Sequence, residues 1–219
     1  MAGVRRRALY ERRPRPHAMP SAHDRYAKDY DEQIRKADCH LADVLFGMSC
    51  EFVKTGDRLL DVGIGTGMSS ALFRRAGLRV FGIDGSAKML EVCRRKDIAE
   101  RLVLQDIATL PWPYEGRTFA HVISCGVFHF IADLDGIFSE MARIQTGGVL
   151  AFTTMRAARL QPGKDVRRKR TEDGIDVYSH SAEYIRQLLR RYRFAQDKEM
   201  VVFTGGSRFS VVVARRAKA

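Results

Sequence analysis

The 219-residue chain has no apolar run near the ~18 residues that a membrane-spanning helix needs. Its first twenty residues hold neither an apolar stretch nor a small-residue cleavage site, so they do not read as a secretory signal. No membrane contact and a cytoplasmic location are therefore expected. Cysteine is scarce: Cys39, Cys50, Cys93 and Cys125 form no C-x-x-C pair and have no paired histidines near them. Neither a zinc site nor a disulfide framework follows from that spacing, and reduced, mostly buried thiols are expected, with no metal. Three nucleotide-binding signatures are also missing. There is no G-K-[ST], no tyrosine has a lysine four positions on, and G-x-G-x-x-G is left incomplete because Met68 stands where its last glycine would fall. A Walker-type phosphate loop is excluded, and a nicotinamide oxidoreductase is opposed.

Charge is abundant but uneven. Of the net charge of +12, residues 1–20 carry +5 and residues 156–170 carry +6, which leaves +1 for everything else. The body of the protein is thus nearly neutral, with two basic appendages. Residues 1–20 are expected to be a disordered extension or an over-long start, and residues 21–219 one domain. Hydrophobic residues make up 45% and charged residues 29%, the balance of a folded chain with a full core.

From His23 to about Val53 apolar residues recur at helical spacing. Beyond them the texture alternates. "RLLDV", "LRVFGID", "RLVLQD", "FAHVISCG" and "VLAFTTM" read as strands, and "MSSALFRRAG", "SAKMLEVCRRK" and "LDGIFSEMARIQ" as the helices among them. "SAEYIRQLLRRY" adds a helix, and "DKEMVVFT" and "RFSVVVARR" add two strands joined across Gly205, Gly206 and Ser207. The series predicts an α/β fold of the Rossmann-like, doubly wound kind: a mostly parallel seven-stranded sheet, helices on both faces and a C-terminal antiparallel hairpin.

In such a sheet ligands bind beyond the carboxyl ends of the strands. There the sequence places "DVGIGTG", Asp61 to Gly67, after the first strand, Asp84 at the end of the second and Asp106 at the end of the third. Glycines at 63, 65 and 67 allow tight turning and close approach of a ligand to the main chain. A tight strand-to-helix turn without a ligand satisfies the glycines alone, whereas acids at three strand ends have little structural purpose.

The loop and the three acids together resemble the class I methyltransferases that use S-adenosylmethionine, over about Tyr26 to Arg216. The resemblance implies S-adenosyl-L-methionine as cofactor. It lays Asp61, Gly63, Gly65 and Gly67 along the methionine part of the cofactor, Asp84 and its neighbour Gly85 at the ribose hydroxyls, and Met89 near the adenine. Asp106 then receives the adenine amino group and Ile107 packs on the ring. Tyr26 and Tyr30 match the family's N-terminal Tyr-x-x-x-Tyr-Asp stretch, where a helix closes over the cofactor; aromatics on a helix are also ordinary core.

"FAHVISCGVFHFIAD" resembles the segment that ends beside the transferring methyl, with Ala120 where most relatives have aspartate. It implies Cys125 at the methionine end and Phe128, His129 and Phe130 as walls of the acceptor pocket. His129 is the candidate general base, since histidine titrates near working pH; a packed or helix-capping histidine is the alternative. A weaker match at "GIDVYSHSAEYIRQLLRRYRF" brings Tyr178 and His180 toward the acceptor on a turn leading into a helix. The basic segment before it reads as a lid, as a surface for an acidic acceptor or RNA phosphate, or as a solvated loop. The Asn/Asp-Pro-Pro-Tyr/Phe and Pro-Cys motifs of nucleic-acid methyltransferases are missing. The expected activity is methyl transfer to the O, N or S of a small-molecule acceptor by a monomer or homodimer. RNA or protein methylation through the basic segments, and a non-catalytic S-adenosylmethionine-binding protein, are the alternatives.

Overall fold

The computed structural model describes residues 24–157 and 164–217. The extension assigned to residues 1–20 lies outside them, as does part of the basic segment.

The chain opens with α1 (Tyr30–Lys36) and α2 (Leu41–Ser49), where the sequence suggested one helical stretch. They are separated by residues 37–40, in which Asp38 takes a φ of 50°. That left-handed conformation cannot be continued as a helix. Then follow β1 (Arg58–Val62), α3 (Ser70–Arg75), β2 (Arg79–Asp84), α4 (Ala87–Arg95), β3 (Arg101–Leu104), β4 (His121–Ser124), α5 (Asp135–Ile144) and β5 (Val149–Met155). The chain continues through β6 (Val166–Arg170), β7 (Asp176–His180), α6 (Ala182–Arg191), β8 (Phe194–Thr204) and β9 (Ser207–Arg216).

The strand order is β3-β2-β1-β4-β5-β9-β8. β1 to β5 are parallel, while β9 lies antiparallel between β5 and the edge strand β8. This is the expected seven-stranded, Rossmann-like sheet. The expected hairpin is closed by Gly205 and Gly206, both at positive φ, as a two-residue turn between strands prefers. The Ser86 hydroxyl caps α4 by accepting the Met89 N–H at 3.1 Å.

Side chains alternate across the sheet with the two-residue period of a strand. On one face Leu60, Val62, Phe81 and Val122 pack with Phe138 and Met141 of α5 and with Ile185 and Leu188 of α6. On the other Leu59, Val80 and Ile123 pack with Leu45 of α2, Phe73 of α3 and Leu90 of α4. Burial on both faces accounts for the nearly unbroken apolar runs of β1, β4 and β5.

One expectation is corrected. The basic segment is not all loop, and Tyr178 and His180 are not on a turn. Residues 166–180 form a separate antiparallel hairpin, with Val166 opposite His180 and Arg170 opposite Asp176. Val-Arg-Arg-Lys-Arg has no alternation to announce a strand. Its order comes from the main-chain ladder and from a turn in which the Thr171 N–H bonds the Ile175 carbonyl at 2.8 Å.

Fully buried Phe152 sits with its ring 5.5 Å from Phe128 and 5.4 Å from Phe138, joining the sheet to α5 and to the turn after β4. Phe152→Ala is expected to lower the unfolding free energy by ~3–5 kcal/mol in urea titration. A loss below about 1 kcal/mol would contradict this packing.

Candidate active site

The carboxyl ends of β1, β2 and β4 and the turn after β3 surround a cavity of about 480 Å³. A volume of this order is typical of small-molecule sites. The N-terminal helices close one side, and the β8–β9 turn closes the far end through Thr204, Ser207 and Phe209.

Three glycines follow β1, for different reasons. A Cβ on Gly63 would lie 2.5 Å from Val127 Cγ2, and one on Gly67 would lie 2.8 Å from Cys93 Sγ. Their bareness serves packing of the loop on its neighbours. At Gly65 no atom stands within 4 Å of where a Cβ would be, and the residue lines the cavity. Gly65 is the point at which the open main chain faces ligand space. Its N–H donates to Asp84 Oδ2 at 2.8 Å, and the Ser86 N–H donates to Asp84 Oδ1 at 2.8 Å. Asp84, at the end of β2, thereby ties the loop after β1 to the start of α4. Each carboxylate oxygen has two lone pairs, so each can accept more than one such bond.

Asp61 does not line the cavity, which corrects its assignment to the ligand. Strand alternation sends it beneath the loop, where Asp61 Oδ2 accepts the Ser69 hydroxyl at 3.1 Å and the Ser70 hydroxyl at 2.7 Å. The side chain is fully buried. Burial pushes its pKa up to about 7, the charge of Asp84 adds to the rise, and the two serine hydroxyls oppose it. Asp61 holds the glycine loop from below.

Asp106 and Ile107 lie beyond β3, which ends at Leu104, two residues sooner than the sequence suggested. Asp106 accepts the Ala108 N–H at 2.9 Å, and the turn so formed sets Asp106 and Ile107 on the cavity wall with Met89 and Gly85. Tyr30 lines the cavity too. Burial raises its pKa, with the nearby Cys125, Cys39, Asp31 and Asp84 adding to the rise, so it remains a neutral phenol. Tyr26 does not line the cavity and is 37% exposed.

The position of α1 depends on contacts that the motifs did not announce. Thr66 Oγ1 donates to Asp31 Oδ1 at 2.5 Å. Lys96 bonds the Asp31 carboxylate and, at 3.0 Å, the Thr66 carbonyl. The Ser86 hydroxyl donates to Asp24 at 2.5 Å. Polar residues on α1 and in the loop were the signal available in sequence; their partners were not.

Past the end of β4, Cys125, His129 and Phe130 line the cavity with Ile131 and Met155. Burial raises the Cys125 thiol, with Asp61 and Cys39 reinforcing it, so Cys125 is a wall and not a nucleophile. The His129 ring lies 3.9 Å from that of Phe130 and meets Phe209 edge-on at 5.5 Å. Phe128 turns the other way, fully buried against Phe138 and Phe152. Tyr178 sits opposite Arg168 in the small hairpin, away from the cavity. His180 is buried, with Nδ1 3.1 Å from Thr154 Oγ1 and Nε2 3.3 Å from the Ala132 carbonyl. Burial lowers its pKa, so it is neutral and structural. Phe128, Tyr178 and His180 therefore do not line the cavity; Ile131, Met155, Thr204 and Phe209 do.

An adenosine-sized ligand fits this arrangement: acceptor-capable carboxylates and an open glycine at one end, apolar walls and one imidazole at the other. A doubly wound sheet of this order with a terminal antiparallel pair is the fold of the class I S-adenosylmethionine-dependent methyltransferases. A family described as "Methyltransferase domain" matches residues 60–152, and over that segment the chain is similar to methyltransferases of that class. The malonyl-[acyl-carrier protein] O-methyltransferase of Serratia marcescens is 33% identical over 145 residues, covering 66% of this chain and 55% of its own. The chain spans about half the length of the curated relatives it matches. Among solved structures, a chain of the complex between the Haloferax volcanii Trm112 methyltransferase activator and a methyltransferase aligns with a TM-score of 0.71 at 18% identity, over 92% of this chain and 99% of that one. Magnesium protoporphyrin IX methyltransferase from Synechocystis PCC 6803 with bound S-adenosylhomocysteine aligns with a TM-score of 0.69 at 19% identity, over 92% of this chain and 96% of that one. At such identities these two likenesses concern the fold.

Because the folded-state pKa of Asp61 is raised from 3.8 to about 7, its contribution to stability is fully present below pH 3.8 and is lost as pH rises through about 7. Asp61→Asn removes that dependence. In denaturant titrations between pH 4.5 and 8, wild type is expected to lose a few kcal/mol relative to the variant, since each tenfold change in proton affinity is worth ~1.4 kcal/mol. Parallel pH profiles would show that Asp61 is ionised throughout.

Proposed function

We propose that the protein transfers the methyl group of S-adenosylmethionine to an oxygen of a small acceptor with an apolar body, the acceptor being an acyl thioester such as the malonyl thioester of a carrier protein. The observation that carries the reading is the division of one cavity into a carboxylate-lined end, with Asp84 and Asp106, and an apolar end whose titratable side chain is His129. The O-methyltransferase name of the Serratia marcescens relative supports the acceptor class.

When bound, S-adenosylmethionine supplies a methyl group already activated on sulfonium. What remains for this chain is alignment and exclusion of water. Asp84 accepts hydrogen bonds from the ribose hydroxyls alongside those from Gly65 and Ser86. Asp106 accepts from the adenine amino group, while Met89 and Ile107 flank the ring. Gly65 lets the ligand lie against the main chain, and Tyr30 on α1 covers it. Cys125 and Gly126 border the methionine end. Phe130, Ile131, Met155 and Phe209 exclude water around the acceptor, and the His129 imidazole fixes the position of the acceptor carboxylate.

Calorimetric titration with S-adenosylhomocysteine and, separately, NADH tests the cofactor. Wild type is expected to bind the former with a micromolar Kd and not the latter. Asp84→Ala should weaken binding by at least about tenfold, the equivalent of ~1.4 kcal/mol, with an unchanged circular dichroism spectrum. Binding of NADH instead would overturn the assignment. With malonyl thioesters, whose acceptor carboxylate carries no proton at neutral pH, and labelled S-adenosylmethionine, His129→Gln is expected to raise the thioester KM by about tenfold, ~1.4 kcal/mol, while S-adenosylhomocysteine affinity holds. An unaltered KM would remove His129 from contact with the acceptor carboxylate.

A further inference from the structure

The basic segment has no part in the cavity, yet the fold gives it a definite place. Arg167, Arg168, Lys169 and Arg170 are consecutive on β6 and all exposed. Arg168 is paired with Asp176 at 2.7 Å. Among the described residues no carboxylate pairs with Arg167, Lys169 or Arg170. Five residues of strand at ~3.3 Å each give a strip of ~16 Å, with Arg167 and Lys169 on one face of the hairpin, Arg168 and Arg170 on the other, and all four exposed at its outer strand.

The hairpin carrying this strip grows from the carboxyl end of β5. Arg156, the first residue after β5, bridges to His180 of β7, and His180 reaches the Ala132 carbonyl beyond the turn that holds His129 and Phe130. β7 is thus the inner strand, packed behind the acceptor wall, and β6 is the outer one. Its outer edge, unpaired among the described residues, and its exposed cations lie beyond the carboxyl end of β5, the end of the sheet that holds the cavity. Protecting a bare edge from aggregation takes a single lysine or an inward charge. Four adjacent cations, three of them without a carboxylate among the described residues, exceed that need in a body that is otherwise nearly neutral.

We propose that β6 is the docking strip for an acidic carrier protein, which presents the methyl acceptor to the cavity on a flexible arm. This rests on the acyl-thioester reading of the acceptor. A protein suits the strip better than RNA. A strip of ~16 Å matches about three turns of an acidic helix at 5.4 Å per turn. Three such cations give only a small electrostatic affinity for a phosphate backbone. The hairpin exposes no aromatic side chain on which a base could stack, since Tyr178 is half-buried. Docking one strand away from the acceptor wall leaves the apolar end of the cavity open to an extended arm.

The test uses the triple reversal Arg167→Glu, Lys169→Glu, Arg170→Glu, all on an exposed edge outside the cavity. The probes are malonyl-loaded acyl carrier protein, malonyl pantetheine and total tRNA. Wild type is expected to bind the fluorescently labelled carrier more weakly as salt rises, and the reversal to raise the KM for carrier-bound malonate by tenfold or more. Its kcat/KM on malonyl pantetheine and its affinity for S-adenosylhomocysteine should not change. An unchanged KM and unchanged carrier binding in the variant would overturn the proposal. So would tRNA that displaces the carrier at lower concentration or is itself methylated. If wild type methylates neither malonyl thioester, the acceptor reading fails by itself. Fluorescence anisotropy with the carrier then decides the docking strip: binding abolished by the reversal supports it, and no binding by wild type overturns it.

Discussion

One carboxylate holds the candidate active site together. Asp84 closes the parallel strand β2 and accepts main-chain N–H groups from Gly65 on one side and Ser86 on the other. Bonds of this charge-assisted kind are short and strong. They fix the loop after β1 relative to the start of α4, two pieces of backbone separated by α3 and β2. Asp84 therefore has a structural role before any ligand arrives, and those two bonds set the orientation of its carboxylate on the cavity wall.

Asp61, only two residues before the first glycine, shows how different an acid becomes when the strand turns it inward. It is shut away from water and held by two serine hydroxyls, and burial pushes its pKa up to about 7. Asp84 meets the cavity; Asp61 meets the interior. The same division runs through the glycines, of which Gly63 and Gly67 make room for Val127, Cys93 and Ile98 while Gly65 faces open space. Polar and apolar ends of the cavity follow from which strands terminate there. The β2 terminus and the turn after β3 contribute carboxylates, and the turn after β4 with Phe209 of β9 contributes apolar walls.

Most of the fold was legible because its strands are short apolar runs punctuated by glycine, and its helices carry caps such as Ser86. The residues at the carboxylate end of the cavity were legible for a related reason: Asp84, Met89, Asp106 and Ile107 sit at fixed offsets from strand ends, and strand ends converge at one edge of such a sheet. Phe128 was not legible as core, since a three-residue turn points adjacent aromatics in opposite directions and only packing selects which one goes inward. His180 and Tyr178 were misplaced because a charged strand without alternation looks like loop. The break between α1 and α2 was hidden by helical spacing that persists across residues 37–40.

The sequence by itself determined the alternation of strands and helices, the glycine loop and the acids at strand ends, because these depend on local pattern and on which residue types tolerate a turn. Tertiary structure alone decided which of those acids meets the cavity, how Asp31 and Lys96 hold α1 over the loop, and that Thr204, Ser207 and Phe209 close the far end of the cavity from the far terminus. Those outcomes depend on contacts between segments distant in sequence. Nothing in a one-dimensional pattern records the direction in which a side chain points or the partner it finds.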